Sequence, residues 1–200
     1  MKSHKVKVIF FLSVVLLLFF SALNVYTSYV RMKHTIEESV ANQSLEAAKS
    51  IASSIDVETY QKFLDKPEKN EHFREIQIYL SDAREKLGSL YVYTLEVDNP
   101  KVSKTMILGH SGEIESLVDY PIGFACTVPK EQVKKAYEGQ TYITGVLKDP
   151  GYGDYLSVGA PIKNEEGKIL GYLGIDTSAA TINQIKGAAL DRNILALIFN

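Results

Sequence analysis

The sequence predicts an α+β fold in which helices pack on one face of an antiparallel sheet, preceded by a transmembrane helix. Three observations carry that prediction. An uncharged run fills Val8 to Val30, helical periodicity dominates from Arg31 to Leu87, and a period of two takes over after Gly88. Long helices grouped ahead of consecutive strands favour helices on one side of an antiparallel sheet over a parallel sheet covered on both faces.

The N-terminal run holds 23 residues without a charge, and about 20 apolar residues rising 1.5 Å each cover a hydrocarbon core of roughly 30 Å. A cleaved signal peptide has a shorter apolar region, about 7 to 15 residues, ending at small residues. This run leads instead through Tyr26 and Tyr29 into Arg31, so an uncleaved anchor is expected. Lys2, Lys5 and Lys7 precede it, against Arg31 and Lys33 behind it. That bias holds the N-terminus in the cytoplasm and places the following residues outside. A lipid anchor would need a cysteine directly after the run, but Cys126 is the only one in the chain. A single cysteine also excludes an intramolecular disulfide and any CxxC motif.

From Arg31 to Ile55 there is no Gly or Pro, and Met32, Ile36, Val40, Ala47, Ile51 and Ile55 form a stripe at helical spacing. One long amphipathic helix is expected, continuing the membrane helix outward. Asp56 to Leu64 reads as a further short helix before the Asp65-Lys66-Pro67 turn. A better defined helix carries Phe73, Ile76, Leu80, Ala83 and Leu87, spaced 3, 4, 3, 4, with Gly88 as its stop. Then Leu90 to Val97, rich in β-branched and aromatic residues, reads as a strand closed by Asp98-Asn99-Pro100. Further strands are expected near 104–109, 141–147, 154–162 and 168–176. The last two are joined by the polar turn Lys163 to Lys168, and a short helix from Pro129 to Glu138 precedes Gly139. A closing helix follows from about Ser178. The apolar residues Ile194 to Phe199 read as the start of a second, truncated transmembrane helix.

Composition and motifs exclude several functions. Lys and Arg number 22 against 24 Asp and Glu, for a net charge of −2, so no basic field exists to hold nucleic acid. His4, His34, His72 and His110 are not spaced as metal ligands. There is no H-E-x-x-H, no G-x-S-x-G and no phosphate loop. No enzymatic activity, metal or cofactor is expected.

The stretch from Tyr155 to Thr177, YLSVGAPIKNEEGKILGYLGIDT, resembles the closing hairpin of Cache sensor domains, the PAS-like extracytoplasmic modules of bacterial receptors. Tyr91-Val92-Tyr93 before a turn, and Gly139-Gln140-Thr141-Tyr142 ahead of the loop Asp149 to Asp154, are similar to single-Cache members. The resemblance implies a PAS-like sheet on a long N-terminal helix, with a small-molecule pocket on the opposite face. Residues 1–7 are then a cytoplasmic N-terminus, 8–30 a transmembrane helix, 31–187 the sensor domain and 188–200 the start of the second span. It implies signal transduction, with chemotaxis receptors first and histidine kinases or diguanylate cyclases as the alternative output. A membrane-anchored extracellular hydrolase is the competing class, and no nucleophile–base pair identifies one. A homodimer through the N-terminal helix is expected, although the stripe over 31–55 covers fewer than four heptads.

Candidate ligand-binding residues follow from alternation in the closing strands. Leu156, Val158, Ala160 and Ile162 share the face expected against the helix, leaving Tyr155, Ser157 and Gly159 on the other. Ile169, Leu173 and Ile175 form the matching helix face, with Leu170, Tyr172 and Asp176 opposite. Tyr155, Ser157 and Asp176 thus converge, with Tyr93 and Tyr152 as companions, because small-molecule sites combine apolar walls with a few placed polar groups. Asp176 has an alternative role as cap of the final helix. Asp119 to Cys126 is expected as an irregular pocket wall, and His110 and Cys126-Thr127 have no assigned contact. The resemblance suggests a small organic ligand such as a carboxylate or amino acid. No arginine clamp in the strands supports a carboxylate.

Overall fold

A computed structural model of the chain describes residues 2–109, 120–149 and 153–188. The chain divides into residues 1–39 and 40–200. Helix α1 (Lys2–Ser54) begins in the first unit and ends in the second. In the first unit the apolar side chains stand exposed all round the helix, with Phe10 at 71% and Leu17 at 70%. A helix that is apolar all round is stable only when buried in protein or lipid, and this one is long and apolar enough to cross a membrane.

In the second unit the helices and the sheet form as the periodicity directs. The end of α1 buries Val40, Ala41, Leu45, Ala48 and Ala52, and Ile55 just beyond it is buried too. That stripe runs beside the expected one, since Ala47 and Ile51 are only half-buried. Helix α2 (Val57–Asp65) starts where the Asp56 carboxylate accepts from the Thr59 amide at 2.6 Å, which satisfies a donor that the first turn leaves without a partner. Helix α3 (Glu71–Leu87) is capped likewise by Asn70, which accepts from the Phe73 amide. It buries Phe73, Ile76, Leu80 and Ala83. It ends at Gly88, whose φ of 62° is the left-handed conformation that a side chain would strain.

Six strands follow: β1 (Tyr91–Asn99), β2 (Val102–Leu108), β3 (Phe124–Ala125), β4 (Tyr142–Asp149), β5 (Gly153–Lys163) and β6 (Ile169–Ser178), with α4 (Lys130–Tyr137) between β3 and β4. They form one antiparallel sheet in the order β3-β2-β1-β6-β5-β4. This is the expected α+β arrangement, an antiparallel sheet with α2, α3 and the part of α1 from Val40 onward on one face. Strand β3, two residues long, was not expected. One parity expectation is corrected. A register shift between Ile162 and Lys163, which pair with Gly171 and Ile169, adds a residue to β6. The bulge turns Ile169 away from the helix face, and it packs with Tyr93, Ala136, Tyr142 and Tyr172 instead.

The two faces of the sheet have different characters. Toward the helices lie Val92, Leu156, Val158, Ala160, Ile162, Leu173 and Ile175, nearly all fully buried. The other face is tyrosine-rich and is covered in part by α4, through Ala136. Two of its tyrosines lie directly on the strands. Gly159 pairs with Gly174, and a Cβ on either would overlap the ring of Tyr142 or Tyr93. The absent side chains let the rings settle against the backbone. Residues 189–200, with the expected second span, lie outside the described residues.

Candidate functional site

The central strand pair builds the site. Antiparallel pairing of β1 with β6 sets Tyr91 opposite Asp176 and Tyr93 opposite Gly174, and pairing of β5 with β6 sets Ser157 opposite Asp176. Three chain segments far apart in sequence thus deliver a phenol, a hydroxyl and a carboxyl to one spot. The Tyr93 hydroxyl donates to Asp176 Oδ1 at 2.9 Å and lies 3.1 Å from Ser157 Oγ. Tyr93 gives its one proton to Asp176, and the Ser157 hydroxyl, also with one proton, has both the Tyr93 oxygen and the Asp176 carboxyl as acceptors. Thr144 fixes Ser157 from the next strand: its Oγ1 accepts from the Ser157 amide at 2.8 Å and donates to the Ser157 carbonyl at 3.1 Å.

In front of this network lies a cavity of about 60 Å³. Roughly 10–15 Å³ of such space holds one water, so the cavity has room for a few heavy atoms. Tyr91, Tyr93, Leu108, Tyr155 and Asp176 line it from the sheet, and Tyr120 and Phe124 to Thr127 line it from the segment after β2. That segment is tied down at two points. Lys104 and Thr105 of β2 pair with Ala125 and Phe124, and Thr127 Oγ1 lies 2.8 Å from the Tyr155 hydroxyl. Tyr120 and Phe124 stack with centroids 5.2 Å apart.

Burial sets the electrostatics. Asp176 is 7% exposed, and desolvation pushes its pKa from 3.8 up to about 7, with the Ser157 and Tyr93 hydroxyls pulling it back only in part. Removing a carboxylate from water costs several kcal/mol unless it is paired or well bonded. Hydroxyl donors alone do not offset that. The same desolvation raises the phenols of Tyr93, Tyr142 and Tyr155 and the Cys126 thiol above their ordinary values. Asp176 is therefore the lining group that changes charge near neutral pH. No Lys, Arg or His is among the described lining residues.

Of the residues singled out from the sequence, Tyr93, Tyr155 and Asp176 meet at this cavity. Ser157 stands behind them, 1% exposed and bonded to Tyr93 rather than lining the space. Tyr152 and His110 lie outside the described residues. The capping role for Asp176 is not observed: the strand runs on through Ser178, and it is Ser178 Oγ that accepts from the Ala180 amide at 3.1 Å as the helix of 179–188 begins. Tyr91, Thr105 and Leu108 went unmarked in the sequence, although Tyr91 shares the parity of Tyr93 and was legible by alternation. Cys126 and Thr127 line the cavity within the expected wall.

No family model and no curated protein matches the sequence. Solved structures do match. The sensor domain of the V. cholerae histidine kinase DctB superposes with a TM-score of 0.63 at 13% identity, covering 82% of this chain and 58% of that one. The E. coli DcuS sensor domain gives 0.52 at 18% identity, over 75% of this chain and 96% of that one. The fold is that of a Cache sensor domain. The Cache sensory domain of the Campylobacter jejuni chemoreceptor Tlp3, solved with isoleucine bound, gives 0.54 at 15% identity, over 84% of this chain and 64% of that one. This chain thus spans under two thirds of the DctB and Tlp3 domains and nearly all of the DcuS domain.

Proposed function

We propose that this chain is the extracytoplasmic sensing portion of a membrane-anchored receptor, and that it binds a small amine-bearing molecule in the cavity between the central strands and the segment of Tyr120 and Phe124. The observation that carries the reading is a buried carboxyl, Asp176, at the base of an aromatic-walled cavity with no cation among its described lining residues. An ammonium entering such a space gains an ion pair with the carboxylate and favourable contact with ring faces. A carboxylate ligand would meet Asp176 with nothing to neutralise either charge. The binding residues we assign are Tyr93, Tyr155 and Asp176, with Ser157 holding Tyr93 in place; Tyr152 remains a further candidate from the sequence, outside the described residues. The apolar part of α1 anchors the chain, and the sensor lies outside the cytoplasm. Cache folds of this shape occur in a histidine kinase and a chemoreceptor alike, so the fold supports sensing ahead of either output.

The test is a thermal-shift screen of small amines against the full chain in detergent. A ligand at 100 times its Kd stabilises the folded state by about 2.7 kcal/mol, a shift of several degrees for a domain of this size. Asp176→Ala and Tyr155→Ala should each remove it while the protein remains folded. Unchanged affinity in Asp176→Ala, or turnover of ester or amide substrates by the wild-type chain, would overturn the assignment.

A further inference from the structure

Asp176 and Thr177 are neighbours in β6 whose side chains leave opposite faces of the sheet. The first enters the cavity. The second, 7% exposed, turns toward the helices, where its Oγ1 lies 3.1 Å from Ser44 Oγ of α1. Both residues stand near the end of β6, where Tyr155 pairs with Ser178 and the strand gives way to the helix of 179–188. The backbone of Asp176 is held on its own side by its carbonyl, which accepts from the Leu90 amide at 2.8 Å. A change in the seat of the carboxyl would reach Thr177 through one peptide unit, since the two residues are adjacent in β6. At 3.1 Å the contact has little slack, since about 0.5 Å of added separation takes it out of hydrogen-bond range.

We propose that the Ser44–Thr177 hydrogen bond is the positioning contact through which the charge state of Asp176 in the cavity sets the seat of α1 on the sheet. Among the described residues, the titratable groups facing Asp176 are Tyr91 and Tyr93 from β1, Tyr142 from β4, Tyr155 from β5 and Cys126 from the wall. Tyr93, Tyr142, Tyr155 and Cys126 are all raised by burial and stay neutral while Asp176 titrates. Across the sheet, Thr177 and Ser44 carry no charge. Among the described groups at the cavity, protonation of this one carboxyl is thus the event that α1 would register, and a bound cation would act on the same group; the His34–Glu38 pair on α1 itself is retained in the Asp176→Asn variant, which separates the two. The relay rests on the sensing reading only for its biological use, because the proton itself serves as the probe.

The experiment uses the full chain in lipid nanodiscs. Spin labels are placed by a keto amino acid at the exposed positions 43 of α1 and 163 of β5, leaving Cys126 untouched. Distances are recorded by double electron–electron resonance at pH 5 and pH 8.5. The wild-type chain should show a displacement of about 1–2 Å, the range typical of packed helices that shift between two states. Asp176→Asn should abolish it. Ser44→Ala and Thr177→Val should abolish it too, with the Asp176 carboxyl still titrating by carbon-13 NMR, and Thr177→Ser should restore it. A displacement that survives both Ser44→Ala and Thr177→Val, or its absence from the wild-type chain, overturns the proposal. An amine screen without hits leaves this response in place, so the relay and the ligand assignment fail separately.

Discussion

Replacing Asp176 by Asn should flatten the dependence of stability on pH. The folded protein holds the Asp176 proton up to a pKa of about 7, whereas the unfolded chain releases it near 3.8. Because the folded pKa lies above the unfolded one, the folded state binds more protons between those values, and stability falls as pH rises through that window. The contribution is fully present below about pH 4 and gone above about pH 7. Three units at 1.36 kcal/mol each make roughly 4 kcal/mol, a large share of the 5–15 kcal/mol typical of a domain. Asn keeps an oxygen to accept from Tyr93 and cannot ionise. At pH 4.5 the variant and the wild type should melt at similar temperatures, and by pH 8.5 the variant should be the more stable, by an amount approaching that figure less the cost of seating an amide. Thermal melts at several pH values test this, and the difference between the two curves isolates Asp176 because every other group titrates alike in both. Parallel curves would refute the claim that Asp176 is buried without a compensating charge.

Two further perturbations test the packing. Gly174→Ala would push a methyl group into the Tyr93 ring and should destabilise by about 1–3 kcal/mol, as overpacked cores do, with a lowered melting temperature as readout. Asn70→Ala removes the acceptor that caps α3 and should cost about 1 kcal/mol in denaturant unfolding, leaving any ligand-induced shift intact.

What the sequence makes legible here is what is local. The spacing of Phe73, Ile76, Leu80 and Ala83 with Gly88 behind it defines α3, because the helical period and the left-handed stop depend only on near neighbours. The β5–β6 hairpin is legible for the same reason: its turn is closed by Asn164, which accepts from the Lys168 amide, and by Gly167 at a φ of 80°. Pairing of β1 with β6 is not local. Alternation places Tyr93 and Asp176 each on one face of its own strand, but 83 residues separate them, and no spacing rule states that the strands adjoin. Strand β3 has two residues and no period to detect. The bulge that turns Ile169 is invisible for a related reason, since one added residue reverses parity without altering composition. In α1, alanines at 41, 47, 48 and 52 satisfy several stripes equally, and contact with the sheet selects one of them.

The chemistry of the site follows from placing an acid where the described lining residues supply hydroxyls and no cation. With an arginine beside it, Asp176 would be ionised at every physiological pH, and an arriving ammonium would compete with a resident partner. Surrounded only by apolar atoms, it would remain protonated and offer such a ligand no charge. Ser157 and Tyr93 hold it between these limits, near neutrality. At that balance point the two protonation states differ little in free energy at pH 7, so a tenfold preference of a ligand for the carboxylate, worth about 1.4 kcal/mol, outweighs the difference. A weak ligand is therefore sufficient to settle the charge of the group. Gly174 sustains that balance, because the absence of its Cβ lets the Tyr93 ring lie close against β6, with its hydroxyl in reach of both Ser157 and Asp176.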